Sequence, residues 1–342
     1  MIEFHIDKNS TVALYKQLVN DIIDAVKSNQ VTPGQLIPSM NELSDRLGIS
    51  KETVKKAYCI LRDKSIIEAR QGKGFYISGK KKKDSLSVLF LFDKFNNAKQ
   101  SIVEGFNKAI EQKCKETILI YNQDVKMFEY LINDNLGNFD YYVIAPHFKT
   151  NARGMEKVIR ALRRIPFTKL ILIDNRINEL KGNYGAAYQD FSDDAYNCLK
   201  QASEEFHKVS RITVITRPSS LYFQYIRNSI AKFGEESNIE TDFITGAPKH
   251  VRPGEAFFLL HSEPDAGLPA IMKCAQASNL EVGKDFYIIS YNDSPLDSLV
   301  LGGLTTISTN FDEMGQEAAR MINSKQMSKI HIPFGMNKRH TF

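Results

Sequence analysis

Residues 36–57 read LIPSMNELSDRLGISKETVKKA. Ser39 followed by Glu42 is a capping-box pattern, because each side chain can accept a hydrogen bond from the backbone N–H of the other residue. Gly48 predicts the end of the helix that starts there. Ser50 is placed to cap a following helix that runs to about residue 63. The stretch therefore predicts two short helices joined by a glycine turn.

The flanking residues complete this N-terminal unit. Apolar residues at helical spacing over 14–26 predict a preceding helix. Residues 66–77, which end in RQGKGFYI, alternate around two glycines as a β-hairpin would. One face of the helix over 51–63 is apolar and is expected to pack on the other helices; it consists of Val54, Ala57, Tyr58 and Leu61.

The opposite face of that helix is polar and basic. Lys51, Thr53 and Lys55 there suit insertion into a DNA major groove, where they would reach phosphates and base edges. Glu52 can accept a hydrogen bond from a cytosine amino group and would repel phosphate. The structural alternative is a solvated helix face. We favour DNA binding because a capped helix pair and a basic hairpin stand beside it.

Charge is concentrated in the same region. Residues 1–83 contain 15 Lys and Arg against 9 Asp and Glu, whereas the remaining residues contain 30 against 31. The whole excess of positive charge therefore lies in the N-terminal region, where a polyanion would bind. Residues 79–85, GKKKKDS, predict a basic linker that is either solvated or in contact with flanking phosphates.

From residue 86 onward, short apolar runs alternate with amphipathic stretches, which predicts parallel β-sheets covered by helices. Strands are expected at 88–92, 117–121, 141–145, 170–173, 212–215, 256–260 and 286–290. Helices are expected at 102–114, 195–207, 222–236, 267–278 and 311–322. Ligands of such sheets bind at the carboxyl ends of the strands.

Residues 11–77 resemble the winged helix-turn-helix of the GntR family. The residues that carry the resemblance are Ile37-Pro38-Ser39, Leu47-Gly48-Ile49-Ser50 and the wing sequence at 70–74. The resemblance implies operator binding by the 51–55 segment and by the wing tip. Asn41 and Lys51-Glu52-Thr53 depart from the usual residues of that family, so the base sequence that is read is expected to differ. The candidate DNA-binding residues are Ser39, Asn41, Ser50, Lys51, Glu52, Thr53, Lys55, Lys56, Arg70, Gly72 and Lys73.

The stretches 288–296, 304–309 and 313–319 resemble the effector domain of the LacI family, which has the fold of periplasmic sugar-binding proteins. The expected fold is thus α/β: a winged helix-turn-helix at 1–78, a linker at 79–85 and a two-lobed, periplasmic-binding-protein-like domain with parallel sheets at 86–342. Crossovers between the lobes are expected near 190 and 308.

A polyhydroxy ligand needs planar hydrogen-bonding groups and aromatic faces. By resemblance, Arg227 and Asn292 match sugar-contacting positions, with Arg227 pointing into the cleft. A loop cap or a surface ion pair remains the alternative for each residue. The candidate effector-binding residues are Asp93, Phe95, Phe148, Asp174, Tyr222, Arg227, Ser262, Tyr291, Asn292 and Thr309.

The sequence gives little support for an enzyme or for a membrane protein. No HExxH, GxSxG or GxxxxGK[ST] motif occurs, and the seven histidines lack metal-ligand spacing. No catalytic residue, metal or cofactor is therefore expected. No run approaches the length of a membrane span, and the N-terminus does not read as a signal peptide. Four scattered cysteines favour free thiols over disulfides, so a cytoplasmic protein is expected.

These observations predict a dimeric regulator that binds a pseudo-palindromic, double-stranded DNA operator. The expected function is repression of a carbohydrate-utilisation operon, with a monosaccharide or a derivative as small-molecule effector. The N-terminal lobe, including the 102–114 helix, is expected to supply much of the homodimer interface. The alternative is a DNA-binding module whose body responds to a protein partner or to a non-sugar metabolite.

Overall fold

The computed structural model describes residues 2–10, 12–70, 72–78, 85–216, 221–260 and 267–342. The chain divides into two compact units, residues 1–86 and 87–342. We call them the head and the body. Residues 79–84 of the predicted 79–85 linker and the candidate residue Ser262 lie outside the described residues.

The head contains three helices and a small antiparallel sheet. The helices are α1 (Leu14–Lys27), α2 (Met40–Leu47) and α3 (Lys51–Asp63). The strands are β1 (Leu36–Ile37), β2 (Ile67–Arg70) and β3 (Gly74–Ile77), in the order β1-β3-β2. The predicted inward face of α3 is fully buried: Val54, Ala57, Tyr58 and Leu61 are at most 1% exposed. The head is a winged helix-turn-helix, as predicted.

The N-terminal lobe of the body is built on a parallel six-stranded sheet of order β14-β8-β7-β6-β4-β5. Its strands are β4 (Leu86–Phe92), β5 (Cys114–Ile120), β6 (Tyr141–Ile144), β7 (Leu170–Asp174), β8 (Gly185–Tyr188) and β14 (Lys329–His331). Four helices cover it: α4 (Asn97–Ala109), α5 (Val125–Asn135), α6 (Ala152–Leu162) and α10 (Phe311–Ser324).

The C-terminal lobe has a second six-stranded sheet, of order β10-β9-β11-β12-β13-β15. Its strands are β9 (Arg211–Thr216), β10 (Glu240–Thr245), β11 (Glu255–Leu259), β12 (Tyr287–Tyr291), β13 (Thr305–Thr309) and β15 (Phe334–Asn337). Only β15 runs antiparallel to its neighbour in this sheet. The lobe's α-helices are α7 (Asp194–Gln201), α8 (Phe223–Glu236) and α9 (Leu268–Ala277).

Within the part of the chain that the structure describes, the backbone crosses between the lobes three times. It does so between β8 and α7, between β13 and α10, and between β14 and β15. The third crossing is not apparent in the sequence, because β14 and β15 are only three and four residues long. Each crossing lies beside the carboxyl ends of strands, so both sheets present these ends to one interlobe cleft.

Several predicted element bounds are wrong. The helix expected at 102–114 begins at Asn97, because Asn96 accepts a hydrogen bond from Lys99 N–H and caps it, and Cys114 already starts β5. The helix expected at 195–207 ends at Gln201 and continues as a 3-10 helix over Ser203–Lys208. Among the described residues, no helix combines the length and apolar character needed to cross a membrane.

Candidate DNA-binding surface and effector site

The turn between α2 and α3 has the predicted geometry. Ser39 Oγ accepts from Glu42 N–H at 3.2 Å and Glu42 Oε2 accepts from Ser39 N–H at 3.3 Å. Gly48 adopts the left-handed conformation with φ 59°, which a glycine takes at no steric cost. Ser50 Oγ accepts from Thr53 N–H at 3.2 Å. Ser39 and Ser50 are thus helix caps, which fixes the direction in which α3 leaves the turn.

The outward face of α3 is exposed, but some of its side chains already contact other residues of the head. Lys51 is exposed and Glu52 pairs with Lys55 at 3.4 Å. The Thr53 hydroxyl lies 2.8 Å from Ser50 Oγ, and either oxygen can be the donor, so this hydroxyl is partly engaged within the protein. Lys56 lies over the Tyr15 ring at 4.1 Å. Asn41, on α2, is exposed.

The wing presents one free cation at its tip within the described residues. Gly72 and Gly74 have φ values of 70° and 97°, which closes the turn and leaves Lys73 exposed. Arg70 instead donates twice to Glu68 Oε1, at 2.9 and 3.0 Å, and lies 4.3 Å from the Tyr76 ring centre. The wing tip therefore suits phosphate contact better through Lys73 than through Arg70.

In the body, a buried polar network occupies the carboxyl ends of the N-terminal lobe's strands. Its centre is Asp174, the last residue of β7, which has a φ of 68°. Lys99 Nζ from α4 and His147 Nε2 (2.9 Å), which follows β6, contact Asp174 Oδ2. Gln189 Nε2, which follows β8, donates to Asp174 Oδ1 at 2.6 Å. Four separate chain segments thus meet at one carboxylate.

Electrostatics explains why Asp174 stays ionised there. Burial alone would raise the pKa of its carboxyl group. Lys99 and His147 lower this pKa by more than burial raises it, and so hold it well below its usual range. Asp93, at the end of β4, lies 4.0 Å from the same ammonium group and is equally buried. The network therefore contains two carboxylates around one lysine.

Tyr222 reaches this network from the C-terminal lobe. Its oxygen accepts from Asn175 Nδ2 at 3.0 Å and lies 2.6 Å from His147 Nδ1. The two ring nitrogens of His147 thus lie within hydrogen-bond distance of Tyr222 Oη and of Asp174 Oδ2, so the imidazole links these two side chains. Burial raises the pKa of Tyr222, so the phenol remains a donor. The Tyr222 ring stacks on Phe191, with centroids 3.6 Å apart and an interplanar angle of 9°.

A cavity of about 280 Å³ lies beside this contact. Asn175, Gln189, Phe191 and Tyr222 line it, and so do residues outside the network. Those residues are Met155, Arg176, Ile177, Asn178, Glu179, Asp190, Ser192 and Tyr225. Planar amides, carboxylates and an aromatic stack around one cavity suit a small polyhydroxy molecule.

Of the predicted effector residues, Asp93, Asp174 and Tyr222 come together in this network. Tyr291 ends β12 in the facing sheet and is buried, and Asn292, which follows the strand, has a φ of 71°. Phe95, 46% exposed, lies beside Phe92.

The geometry does not support the predictions for Phe148 and Arg227, whereas Thr309 stays a prediction. Phe148 packs against Tyr121 and Phe128 in the core of the N-terminal lobe, so it is not a stacking platform for a ligand. The Arg227 guanidinium lies over the Phe243 ring at 4.6 Å, between α8 and the edge strand β10, and does not point into the cleft as expected. The Thr309 hydroxyl donates to Pro333 O at 3.3 Å and joins two lobe crossings.

The sequence did not single out Lys99, His147, Gln189 or Phe191. His147 and Gln189 each follow a strand closely, which is a usable signal, but β8 is short and was not predicted. Lys99 was missed because the helix was predicted to begin at residue 102, whereas α4 begins at Asn97. A buried lysine in the first turn of a helix has no sequence signature of its own.

Comparison with known proteins agrees with both units. Residues 14–77 match the model of bacterial regulatory proteins of the gntR family, and residues 208–333 match a periplasmic binding protein-like domain. The dimeric Lac repressor with an 11-residue C-terminal deletion has a TM-score of 0.57 and 15% identity over 75% of this chain and 98% of that one. That likeness shows the fold of the body.

Two curated relatives cover different lengths. The transcriptional repressor YtrA of Bacillus subtilis is 30% identical over 114 residues, which is 33% of this chain and 75% of YtrA. The arabinose metabolism transcriptional repressor of Geobacillus stearothermophilus is 21% identical over 358 residues, covering 94% of this chain and 95% of the relative. The chain belongs to the GntR family of bacterial transcription regulators, with a DNA-binding head and a periplasmic-binding-protein-like body.

Proposed function

We propose that the protein is a repressor of a carbohydrate-utilisation operon and that a small sugar in the interlobe cleft changes its affinity for the operator. The observation that carries the proposal is the network around Asp174. Side chains from one lobe meet Tyr222 from the other lobe, beside a polar and aromatic cavity. A ligand that enters there contacts both lobes and so changes their separation. The arabinose repressor, similar along nearly the whole chain, supports a sugar as the signal.

The direct test is operator release. The full chain should bind the DNA upstream of its own gene and of the adjacent genes, measured by fluorescence anisotropy. One member of a panel of monosaccharides should lower that affinity and raise the melting temperature of the protein, because a ligand of the folded state stabilises it. DNA binding without a response to any sugar would favour the alternative, a protein partner or a non-sugar metabolite.

Tyr222→Phe tests the cleft itself. The change removes the hydroxyl group that joins Asn175 and His147 across the lobes. Leaving these groups unpaired costs about 1–3 kcal/mol, so the sugar concentration for half-maximal operator release should shift about fivefold or more. Operator affinity without sugar is the second measurement, since it reports whether the head remains folded.

The matched control is Tyr196→Phe. Tyr196 lies in the same lobe and also hydrogen bonds through its hydroxyl, but to Glu236 at 2.6 Å and not across the cleft. This variant should release the operator at the wild-type sugar concentration. Arg227→Ala should do the same, because its guanidinium lies over Phe243. Equal behaviour of Tyr222→Phe and Tyr196→Phe would remove the cleft from the proposal.

A further inference from the structure

The segment that precedes α1 packs along the head. Ile2 is 5% exposed, and Phe4 and Ile6 are partly buried against the head's core. These apolar residues alternate with polar ones, so an extended backbone turns one face of the segment towards the helices. The match to the gntR family model begins at residue 14 and does not cover this segment. We call residues 2–8 the N-terminal strap.

Hydrogen bonds fix the backbone of the N-terminal strap. His5 N–H donates to Asp21 Oδ2 at 2.7 Å. Asp7 N–H donates to Gln17 Oε1 at 2.8 Å, and Gln17 Nε2 donates back to Asp7 O at 2.9 Å. Both partner side chains, those of Asp21 and Gln17, belong to α1. The chain is therefore held in place up to the residue before Lys8.

Lys8 extends from the strap to the turn between α2 and α3. Its Nζ donates to Gly48 O at 2.9 Å, and a Cβ on Gly48 would lie 3.2 Å from that nitrogen. Ser50, two residues further along the chain, caps α3. A recognition helix reads base edges with its N-terminal residues. The turn that precedes α3 therefore lies at the wall of the major groove, beside the phosphates.

The ammonium group of Lys8 keeps both its charge and its donors for a phosphate. A carbonyl oxygen takes one of its three N–H groups and does not neutralise the charge. Other cations of the head are paired with carboxylates, Lys55 with Glu52 and Arg70 with Glu68. Lys8 is exposed, so DNA reaches it without a rearrangement of the head. Because the ammonium group is already held in place, less entropy is lost on binding.

The contact with Gly48 also has a purely structural explanation. Gly48 is the C-cap of α2, and a lysine near a helix C-terminus stabilises the helix by bonding its last carbonyl groups. That role needs the hydrogen bond but no contact with DNA. The two explanations differ in the salt dependence of DNA binding, since only a phosphate contact releases counterions.

We infer that the N-terminal strap is part of the DNA-binding surface and that Lys8 binds a backbone phosphate beside the start of α3. This contact adds affinity on every base sequence, because phosphates carry no sequence information. The inference rests on the DNA-binding head alone and does not depend on sugar sensing by the body.

Lys8→Met tests the contact in the full-length protein, because methionine keeps the apolar stem of the side chain and removes its charge. The probes are a mixed-sequence duplex and the duplex from upstream of the protein's own gene, each titrated by fluorescence anisotropy at several salt concentrations. Loss of one phosphate contact should make the slope of log affinity against log salt shallower by about 0.9. Binding to both duplexes should therefore weaken about eightfold near 0.1 M salt and about threefold near 0.3 M salt.

Two variants control this result. Lys8→Arg keeps the charge and should keep the wild-type slope. Lys27→Ala removes the same charge from an exposed lysine at the other end of α1, which pairs with Asp24 at 3.7 Å, and should also keep the slope. The melting temperature of each variant reports whether the head remains folded.

An unchanged slope for a folded Lys8→Met protein overturns the inference even if its affinity falls, because Lys8 then only anchors the turn. A slope for Lys27→Ala as shallow as that for Lys8→Met overturns it as well, because the net charge of the head then explains the effect.

Discussion

At the scale of single residues, the Asp174–Lys99 ion pair should be sensitive to substitution, because both side chains are almost fully buried. Asp174→Asn leaves the Lys99 ammonium without its main partner. We expect the body to lose about 3–5 kcal/mol in its free energy of unfolding at neutral pH, the usual cost of removing one member of a buried ion pair. Urea denaturation of the full chain, followed on the body's transition, measures this loss.

The pH dependence has a definite sign. The folded-state pKa of Asp174 lies below its ordinary value, so its stabilising contribution is full above that ordinary value and is lost as the pH falls towards the folded-state pKa. The Asn variant should therefore show a flatter loss of stability in acid. Adding Lys99→Met should recover part of the stability, since both partners are then removed. A double variant as unstable as Asp174→Asn would contradict the pairing.

At the scale of elements, the wing and α3 should contribute differently to DNA binding. Lys73 stands at the wing tip, between two glycines of positive φ, where a phosphate contact is sterically free. Lys73→Ala should weaken binding on every sequence and make the dependence of log affinity on log salt shallower by about one. Thr53→Ala should instead reduce the ratio between operator and random-DNA affinity.

Lys73→Arg is the control for the wing, because it keeps the charge and should keep the salt slope. Anisotropy titrations at several salt concentrations measure all three variants on operator and random duplexes. If Lys73→Ala leaves the slope unchanged, the wing does not contact phosphate.

At the scale of the whole molecule, we expect homodimers that form through the N-terminal lobe. Helix α4 uses its apolar face inside the lobe: a Cβ on Gly105 would meet Asp312 O of α10 at 2.0 Å, and Ile102 is fully buried. Its outward face is polar, and Asn107 donates to Glu116 of the neighbouring strand β5 at 3.2 Å. Ile118 and Ile120 follow on that edge strand, 38% and 41% exposed.

Two exposed isoleucines on an edge strand favour aggregation unless a partner covers them. We propose that the partner is a second copy of the chain. Ile118→Asp should shift the full chain from dimer to monomer at micromolar concentration in sedimentation experiments. Lys115→Asp, on the same strand but at an already polar position, should leave the dimer intact. A wild-type chain that sediments as a monomer would exclude this interface.

The sequence alone determined those parts of the protein that rest on local rules. Ser39, Glu42, Gly48 and Ser50 act through hydrogen bonds and backbone angles within a few residues, so the head was predictable to within one turn. Alternation of apolar runs was enough to predict the parallel sheets, because their central strands are buried on both faces. Asp93 and Asp174 were named only through the family resemblance, and both lie where strands of the N-terminal lobe end.

The tertiary structure alone decided which side chains meet. Lys99, His147 and Gln189 converge on Asp174 from separate chain segments, and only the order of the strands brings them together. Tyr222 joins them through His147. It also decided that Arg227 rests on Phe243 and that Phe148 belongs to the core. The physical reason is that burial and pairing of a side chain depend on contacts formed across the fold, whereas caps and turns depend on near neighbours along the chain.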